Sequence, residues 1–345
     1  MVLPMGLRGY IIKRCIYTIF LIIFVLCLNF IIFEILPHNP LDFFVGTSTG
    51  KSLTPQKIAA IMHEWGLDQP WPIRFLTYMK NMLTFQFGQN TPDVKGSVLG
   101  LIMTYLPNTL VLMGISTVLS IIIGVVIGVI AAYRRGGLFD SVAVIGSLLT
   151  YALPTFWIGL ILIFVLAVNT HILPGSGIVG YDMPPWIVYS LLGTRISIPS
   201  MTEIISRISH LILPCGVLTL VSFGGYTLLT RATMMESLTE DYILTAKAKG
   251  LKTRTIIFKH ALKNASLPII TSAAMSFGFL ISGALITETV FNYKGIGWLT
   301  IHSIFATFNT PALQAIFYVI ALCVIFANFA SDLLYGVIDP RIKYG

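Results

Sequence analysis

The residues most suggestive of chemistry form a glycine-rich run from Gly46 to Ser52, with the sequence GTSTGKS. A phosphate-binding loop needs four residues between its two glycines, so that its backbone N–H groups can surround a phosphate. Here only three residues separate Gly46 from Gly50, and Val45 stands where the first glycine is required. No buried strand is indicated before the run. We therefore predict a flexible turn here, and no nucleotide site in this chain.

Acidic side chains in apolar runs are the next candidates, because an acid inside a membrane indicates function by default. Glu34, Glu288 and Asp332 each fall near the end of an apolar run. At that depth, pairing, capping or reaching toward water is favoured over ion transport. The run from Gly46 to Gly50 fits G-x-S-x-G, but no buried strand is indicated before it, as that nucleophile motif requires. No H-E-x-x-H motif and no paired acids within a span are present, so we expect neither catalysis nor a metal site. The cysteines form no C-x-x-C pair and are expected to be apolar packing residues: Cys15, Cys27, Cys215 and Cys323.

The most informative stretch is short and polar, and it predicts a helix from about Thr239 to Gly250. The Thr239 hydroxyl can cap the first turn, and two acids follow it at the positive end of the helix dipole. Two lysines lie near the other end, and Gly250 suits the left-handed position after a helix. A second helix is predicted over 253–264, with Thr253 as its cap.

Ile243, Ala246 and Gly250 share one face of the first helix, because they are spaced by three and four residues. This face carries little side-chain bulk, so the surface of another protein could approach its backbone. We favour a docking helix. The alternative is a loop whose positive charge only fixes membrane topology.

The elements that position this loop are membrane spans. The chain has 345 residues, of which 56% are hydrophobic and only 10% charged, whereas soluble domains carry about a quarter charged residues. Gly124 and Gly128 predict close helix packing, and Pro154 predicts a kink. Six apolar stretches are long enough to cross a bilayer: about 13–36, 106–132, 139–171, 211–236, 267–291 and 312–337.

Orientation follows from Lys and Arg in short loops, which remain in the cytoplasm. Placing both termini inside puts the dense basic cluster of 247–263 inside as well, whereas the reverse orientation would expose it. We therefore predict an uncleaved first span and both termini in the cytoplasm. The net charge of +8 is attributed to topology and not to nucleic acid. Two outer segments remain: 37–105, with short helices over 54–64 and 72–82, and 172–210, a loop with short helices.

The run DYILTAKAKGLKTRTIIFKHALKNASLPII resembles the cytoplasmic signature loop of ABC-importer membrane subunits, and most of all the first-permease (B-type) subunits of the dipeptide/oligopeptide (peptide/nickel) permease family. Other stretches resemble the same family in the same order along nearly the whole chain. They are LPHNPLD, GLDQPWPIRFLTYMKNMLTFQFGQN, YALPTFWIGLILI, ETVFNYKGIG and NFASDLLYGVIDPRIKYG. Departures occur at His38-Asn39, where the family has Gly-Asp, and at Lys294, where it has Pro.

The resemblance implies an all-α integral membrane protein of six transmembrane helices with the type I importer permease fold. It implies three regions: 1–36, an extracytoplasmic segment 37–105, and a core 106–345 with an outer loop at about 172–210 and a coupling loop at about 237–266. The coupling helix of this family is seated in a groove of the ATPase subunit. The implied contact residues are Asp241, Tyr242, Ile243, Thr245, Ala246, Ala248, Lys249, Gly250 and Leu251.

The implied function is half of a translocation path for peptides in the cell membrane, coupled to ATP hydrolysis elsewhere. The implied partners are a second, homologous permease subunit, two cytoplasmic ATPase subunits that bind ATP and Mg²⁺, an extracytoplasmic binding protein, and membrane lipid. This chain itself would hold no cofactor and would not be an enzyme. Oligosaccharides or nickel are alternative substrates, and an ion-driven secondary transporter is a distant alternative.

Overall fold

A computed structural model of the chain describes residues 7–36, 69–88, 96–180, 187–191, 194–198, 200–278, 284–305 and 310–338, together with Gln56 and His63. In chain order the elements are α1 (Leu7–Phe30), α2 (Trp71–Leu83), α3 (Val98–Tyr133), α4 (Leu138–Ala152), α5 (Thr155–Leu162), β1 (Ile187–Leu191), β2 (Thr194–Ile198), α6 (Met201–Leu238), α7 (Asp241–Ala248), α8 (Thr253–Thr255), α9 (Leu262–Gly278), α10 (Leu285–Val290), α11 (Ile296–Phe305) and α12 (Thr310–Ile338). Three π-helical segments continue these helices: Ile31–Ile35 after α1, Ile163–Asn169 after α5, and Ile256–Ala261 between α8 and α9.

Long apolar helices dominate because hydrocarbon offers no partners to backbone polar groups, so each span must satisfy its own. Four described helices are long and apolar enough to cross a membrane, and a bent pair of helices can supply one more. The predicted first, second, fourth and sixth spans therefore appear as helices: Ile11–Ile35, Val98–Tyr133, Met201–Leu238 and Thr310–Ala330. The predicted fifth span is helical on both sides of residues 279–283, which lie outside the described part. The total of six spans thus stays a prediction.

The predicted third span is broken at Pro154. Helices α4 and α5 meet there at 97°, and Pro154 has φ −62° and ψ 131° as the residue before α5. Proline cannot donate the backbone hydrogen bond that would continue α4, so a break at this residue follows from its chemistry. The predicted kink is confirmed, but the bend is far larger than a proline kink in a continuous helix.

The outer segment 172–210 contains a feature that the sequence reading missed. Its described residues form a two-stranded antiparallel hairpin, in which Ile187 pairs with Ile198 and Leu191 with Thr194, and residues 201–210 already belong to α6. The rest of the described secondary structure is helical, and the all-α class holds apart from this hairpin. Of the two helices predicted in 37–105, the one near Pro72 is α2, and the one over 54–64 falls almost wholly outside the described residues.

The chain forms two compact units. The first comprises Met1–Thr109, Ile281–Leu285 and Gly295–Gly345, and the second comprises Leu110–Leu280 and Ile286–Lys294. The core of the first unit is formed by buried apolar side chains of α1, α2, α3, α11 and α12, including Leu26, Phe30 and Tyr318.

The second unit has two buried apolar clusters along α6. One joins α6 to α3 and to the residues around Phe291, and the other joins the end of α6 to α7 and the π segment Ile256–Ala261. Helix α6 therefore runs through the centre of this unit.

The predicted glycine contact is made between α3 and α6. A Cβ atom placed on Gly124 would lie 2.4 Å from Cβ of Tyr226, and one placed on Gly128 would lie 2.6 Å from Cβ of Thr230. Both distances are shorter than carbon atoms can tolerate, so these helices approach as closely as they do only because both residues are glycine.

We expect Gly128→Ala to lower the free energy of unfolding by about 2 kcal/mol, because the added methyl group forces α3 and α6 apart. The measurement is the thermal unfolding midpoint of the purified protein in detergent. Gly114→Ala in the same helix is the matched control, because no described atom lies within 4 Å of its added Cβ. Equal midpoints for the two variants would contradict the close-contact interpretation.

Candidate functional site

The loop between α6 and α9 contains the predicted docking helix, α7, which spans Asp241–Ala248. Its C-terminal end is closed by a Schellman motif. The N–H of Gly250 donates to the carbonyl of Lys247 at 2.9 Å, and the N–H of Leu251 donates to that of Ala246 at 3.3 Å. Gly250 has φ +69°, a conformation that other residues adopt only at a cost, so its predicted left-handed position is confirmed.

The predicted capping threonines do not cap these helices. Thr239 ends α6, where its hydroxyl donates to the carbonyl of Glu236 at 2.7 Å and so is not directed at the first turn of α7. Glu240 occupies the N-cap of α7 and makes no side-chain capping bond. Lys252, not Thr253, is the N-cap of α8, which continues through the π segment into α9. The prediction for Thr239 was wrong because α6 extends to Leu238 and its last turn uses Thr239. The prediction for Thr253 was wrong because the helix already begins at that residue.

Two of the three residues on the face of α7 predicted to meet a partner are turned inward, whereas the third, Gly250, is exposed. Ile243 is fully buried and Ala246 is 5% exposed, and both belong to the apolar cluster that joins α7 to α6, α3 and the π segment. The cluster also includes Met234 and Ile257. The prediction failed because burial in the chain itself and docking to a partner require the same apolar spacing.

The opposite face of α7 is open to solvent. Leu244, in the middle of the helix, is 61% exposed. It lies four residues before Ala248, so the two share a face. Leu244 was not among the predicted contact residues, whereas Ala248 was. The other exposed members of the predicted set are Asp241, Thr245, Lys249, Gly250 and Leu251.

Tyr242 has a positioning role that the sequence did not indicate. The Ser237 hydroxyl donates to the carbonyl of Ala261 at 2.9 Å, and the Tyr242 hydroxyl lies 2.5 Å from the Ser237 oxygen. The Tyr242 hydroxyl also donates to the backbone carbonyl of Ser237 at 3.2 Å. This chain of hydrogen bonds joins the end of α6, the first turn of α7 and the π segment, so the three cannot separate independently.

A buried ion pair connects α4 and α6, and sequence reasoning missed it. The Asp140 side chain receives two hydrogen bonds from Arg231, Nε to Oδ1 at 2.5 Å and Nη2 to Oδ2 at 2.9 Å, plus one from the N–H of Gly136 at 2.9 Å. Asp140 is only 4% exposed. The partners are far apart in the sequence, and a single sequence contains no signal that pairs them.

The three acids flagged from the sequence have different surroundings. Glu34 forms an ion pair with Arg74, as predicted for an acid near a span end. Glu288 is fully buried in α10, and its carbonyl accepts from the N–H of Tyr293 at 2.8 Å. Burial, and to a smaller extent the nearby Glu288 carboxylate, raise the pKa of the Tyr293 phenol to about 12, so the phenol stays neutral. Asp332 lies in α12, but its side chain is outside the described part.

Other predicted sites are only partly tested. The Gly46–Ser52 run lies outside the described residues. Within the described part, no three His, Cys, Asp or Glu side chains are grouped so that they could hold a metal ion. Of the four free cysteines, Cys215 is buried and Cys15 is exposed on α1, so the expectation of burial fails for Cys15.

Comparisons with known proteins cover nearly the whole chain. Residues 124–344 match the family described as binding-protein-dependent transport system inner membrane component, and residues 7–121 match the family of the N-terminal part of such membrane components. The oligopeptide transport system permease protein AppB of Bacillus subtilis is 34% identical over 338 residues, covering 98% of this chain and 100% of that protein.

Two further relatives have comparable coverage. The di/tripeptide transport system permease protein DppB of Pseudomonas aeruginosa is 35% identical over 92% of this chain and 93% of its own length. The dipeptide transport system permease protein DppB of Escherichia coli K12 is 32% identical over 97% of this chain and 98% of its own length.

The fold is similar to that of a solved structure, the inward-facing MetNI methionine ABC transporter, with a TM-score of 0.53 at 15% identity. The match covers 69% of this chain and 96% of that one. At this identity the likeness concerns the fold alone.

We expect Asp140→Asn to lower the free energy of unfolding by about 2 kcal/mol, because the partly exposed Arg231 cation loses the carboxylate to which it donates two hydrogen bonds. The double variant Asp140→Asn with Arg231→Gln should recover part of this loss, since no unpaired charge remains. Thermal unfolding midpoints in detergent measure both effects.

The matched control for the ion pair is Asp241→Asn, which removes an exposed carboxylate from the first turn of α7 and should cost less than about 1 kcal/mol. A double variant no more stable than the single variant would mean that the pairing of charges is not what Asp140 contributes.

Proposed function

Because this chain belongs to the family of inner-membrane components of binding-protein-dependent transport systems, we propose that it forms half of the peptide path of an ATP-driven importer. Its relatives named for oligopeptide, dipeptide and tripeptide transport match it over almost their full lengths, and this supports peptides as the substrate class. Oligosaccharides and nickel are the competing substrates.

The proposed assembly contains a second, homologous permease subunit, two ATPase subunits that bind ATP and Mg²⁺, and an extracytoplasmic binding protein that delivers the peptide. The chain is a multi-pass membrane protein. We place its termini, and therefore α7, on the cytoplasmic side, because the basic cluster of 247–263 belongs there by the distribution of Lys and Arg. That side is where ATPase subunits can reach α7.

The observation that carries the proposal is the two-sided construction of α7. One side, Ile243 and Ala246, is buried in the chain's own apolar cluster, and the other presents Leu244 and Ala248 to solvent. A partner that binds the outer side therefore acts on a helix that is fixed to the membrane domain. An exposed leucine beside small and charged residues is typical of the centre of a protein interface with a polar rim.

Movement of the partner would reach the spans through specific contacts. Tyr242 and Ser237 hold α7 to the end of α6, and α6 is in turn held to α4 by Arg231 and Asp140. Closure of the ATPase pair would thus displace α6 and α4 together. ATP drives such a change only because its binding favours one of the two arrangements over the other.

Leu244→Glu tests the docking face. We expect it to reduce co-purification of the ATPase subunits, and ATP hydrolysis stimulated by the loaded binding protein, by at least about tenfold, because a charge enters the apolar contact. The unfolding midpoint should not change, because the side chain is already exposed. The measurements use the complete complex reconstituted in nanodiscs.

The matched control is Leu138→Glu, which adds the same charge at a leucine that is 83% exposed at the start of α4. Normal assembly and stimulation in the Leu244 variant would refute α7 as the docking helix. Equal loss in both variants would indicate a general effect of added negative charge.

Substrate class is tested by uptake into proteoliposomes that contain the complex and its own binding protein. Labelled di- to pentapeptides should accumulate in an ATP-dependent way, and labelled oligosaccharide or nickel should not. Uptake of oligosaccharide or nickel without uptake of peptides would overturn the peptide assignment. Uptake by this chain alone, driven by an ion gradient, would support the secondary transporter instead.

A further inference from the structure

Helix α2 is apolar on two opposite faces, and only one of them is accounted for by the fold. Its inner face consists of Phe75, Tyr78 and Met82, which pack into the core of the first unit. The opposite side has a stripe at spacings of three, four and three residues, made of Ile73, Leu76, Lys80 and Leu83. We call these four residues the outer stripe. Leu76 is 68% exposed, and Ile73 and Leu83 are at least half exposed.

The position of α2 is fixed by contacts with the last turns of α1. Arg74 forms an ion pair with Glu34, and the ring of Phe30 lies 5.1 Å from that of Phe75 and 5.4 Å from that of Tyr78. Later residues of α2 therefore meet earlier residues of the first span. Helix α2 thus crosses the first span near the end of that span.

The depth that this packing implies can be estimated from helix geometry. Phe30 precedes Ile35, the end of the first span, by five residues, and a rise of 1.5 Å per residue gives about 7 Å. Helices that lie in the membrane interface bury their apolar face by about 5–10 Å. The middle of α2 is therefore held at the depth of an interfacial helix.

The surface of α1 beside it is apolar and is largely uncovered by the described part of this chain. The span is only 17% buried, and large apolar side chains near its end, such as Leu28, Ile31 and Ile32, are more than 40% exposed. A membrane span that exposes such side chains exposes them to acyl chains. The outer stripe adds further apolar area to this surface on the same unit.

We propose that the outer stripe of α2 is a lipid-binding face, seated at the boundary between phospholipid headgroups and acyl chains where the first span ends. Ile73, Leu76 and Leu83 enter the acyl region. Lys80 extends its ammonium group outward to a lipid phosphate, as long cationic side chains do at this depth. Trp71, 68% exposed at the start of the helix, lies among the headgroups, the position in which tryptophan is enriched.

This role is separate from the docking of ATPase subunits and would hold whatever the substrate is. It makes the segment after the first span a membrane-anchored part of the chain, although the hydropathy of α2 does not identify it as a span. A soluble protein partner is the other occupant that the stripe could accept, and the experiment distinguishes the two.

The test is site-directed spin labelling of the full chain in phospholipid nanodiscs, with the four native cysteines replaced by alanine. Single cysteines are placed at Leu76, at Leu83 and, as a water-exposed reference, at Lys247. Collision of the label with oxygen, which concentrates in acyl chains, is compared with collision with a water-soluble nickel chelate.

We expect oxygen to dominate at both stripe positions, and the nickel chelate to dominate at position 247 by at least about tenfold in the ratio of the two collision rates. Dominance of the nickel chelate at positions 76 and 83 would show that the stripe faces water and would overturn the proposal. The measurement is repeated on the complete complex in nanodiscs. An immobile label shielded from both reagents there would show that a protein covers the stripe, and would overturn the proposal equally. Because both positions are exposed, neither label disturbs the core, and unfolding midpoints verify this.

Discussion

The burial of Ile243 and Ala246, on the inner face of α7, is the contact on which the proposed coupling to ATPase subunits depends. A short polar helix outside a membrane has little of its own to hold it, because an eight-residue helix is marginal in water. Here two side chains enter a cluster with Met234 and Ile257, and the Tyr242–Ser237–Ala261 hydrogen bonds fix the remaining freedom. Because its buried face holds the helix in place, its exposed face is available to bind a partner.

Much of the architecture was predictable, because hydrocarbon imposes simple requirements on sequence. Length and apolarity located the first, second, fourth and sixth spans, Pro154 located the break in the third, and Gly124 with Gly128 located a close helix contact. Gly250 was predictable for a similar reason, since only glycine adopts its backbone conformation at little cost. In each case few other residue types could take the same place in the structure.

The remainder depends on what each residue meets in three dimensions. The spacing of Ile243 and Ala246 indicated an apolar face, but whether that face meets the chain itself or a partner is decided by the position of Met234 and Ile257. Likewise, Asp140 of α4 pairs with Arg231 of α6. Nothing in the residues around either of them indicates the partner. The hairpin of β1 and β2 was missed because the residues that flank it, Pro184, Pro185 and Pro199, are typical of an irregular loop.

The absence of side-chain room along α6 also bears on how this protein can diversify. A Cβ atom on Gly224 would lie 2.5 Å from the backbone oxygen of Ser147 in α4, and Gly124 and Gly128 are as crowded against α6 from α3. A backbone atom cannot turn aside as the end of a flexible side chain can. We therefore expect functional variants selected for new cargo to carry their changes at other positions. The packing around α6 would then be inherited intact while the specificity of the path evolves around it.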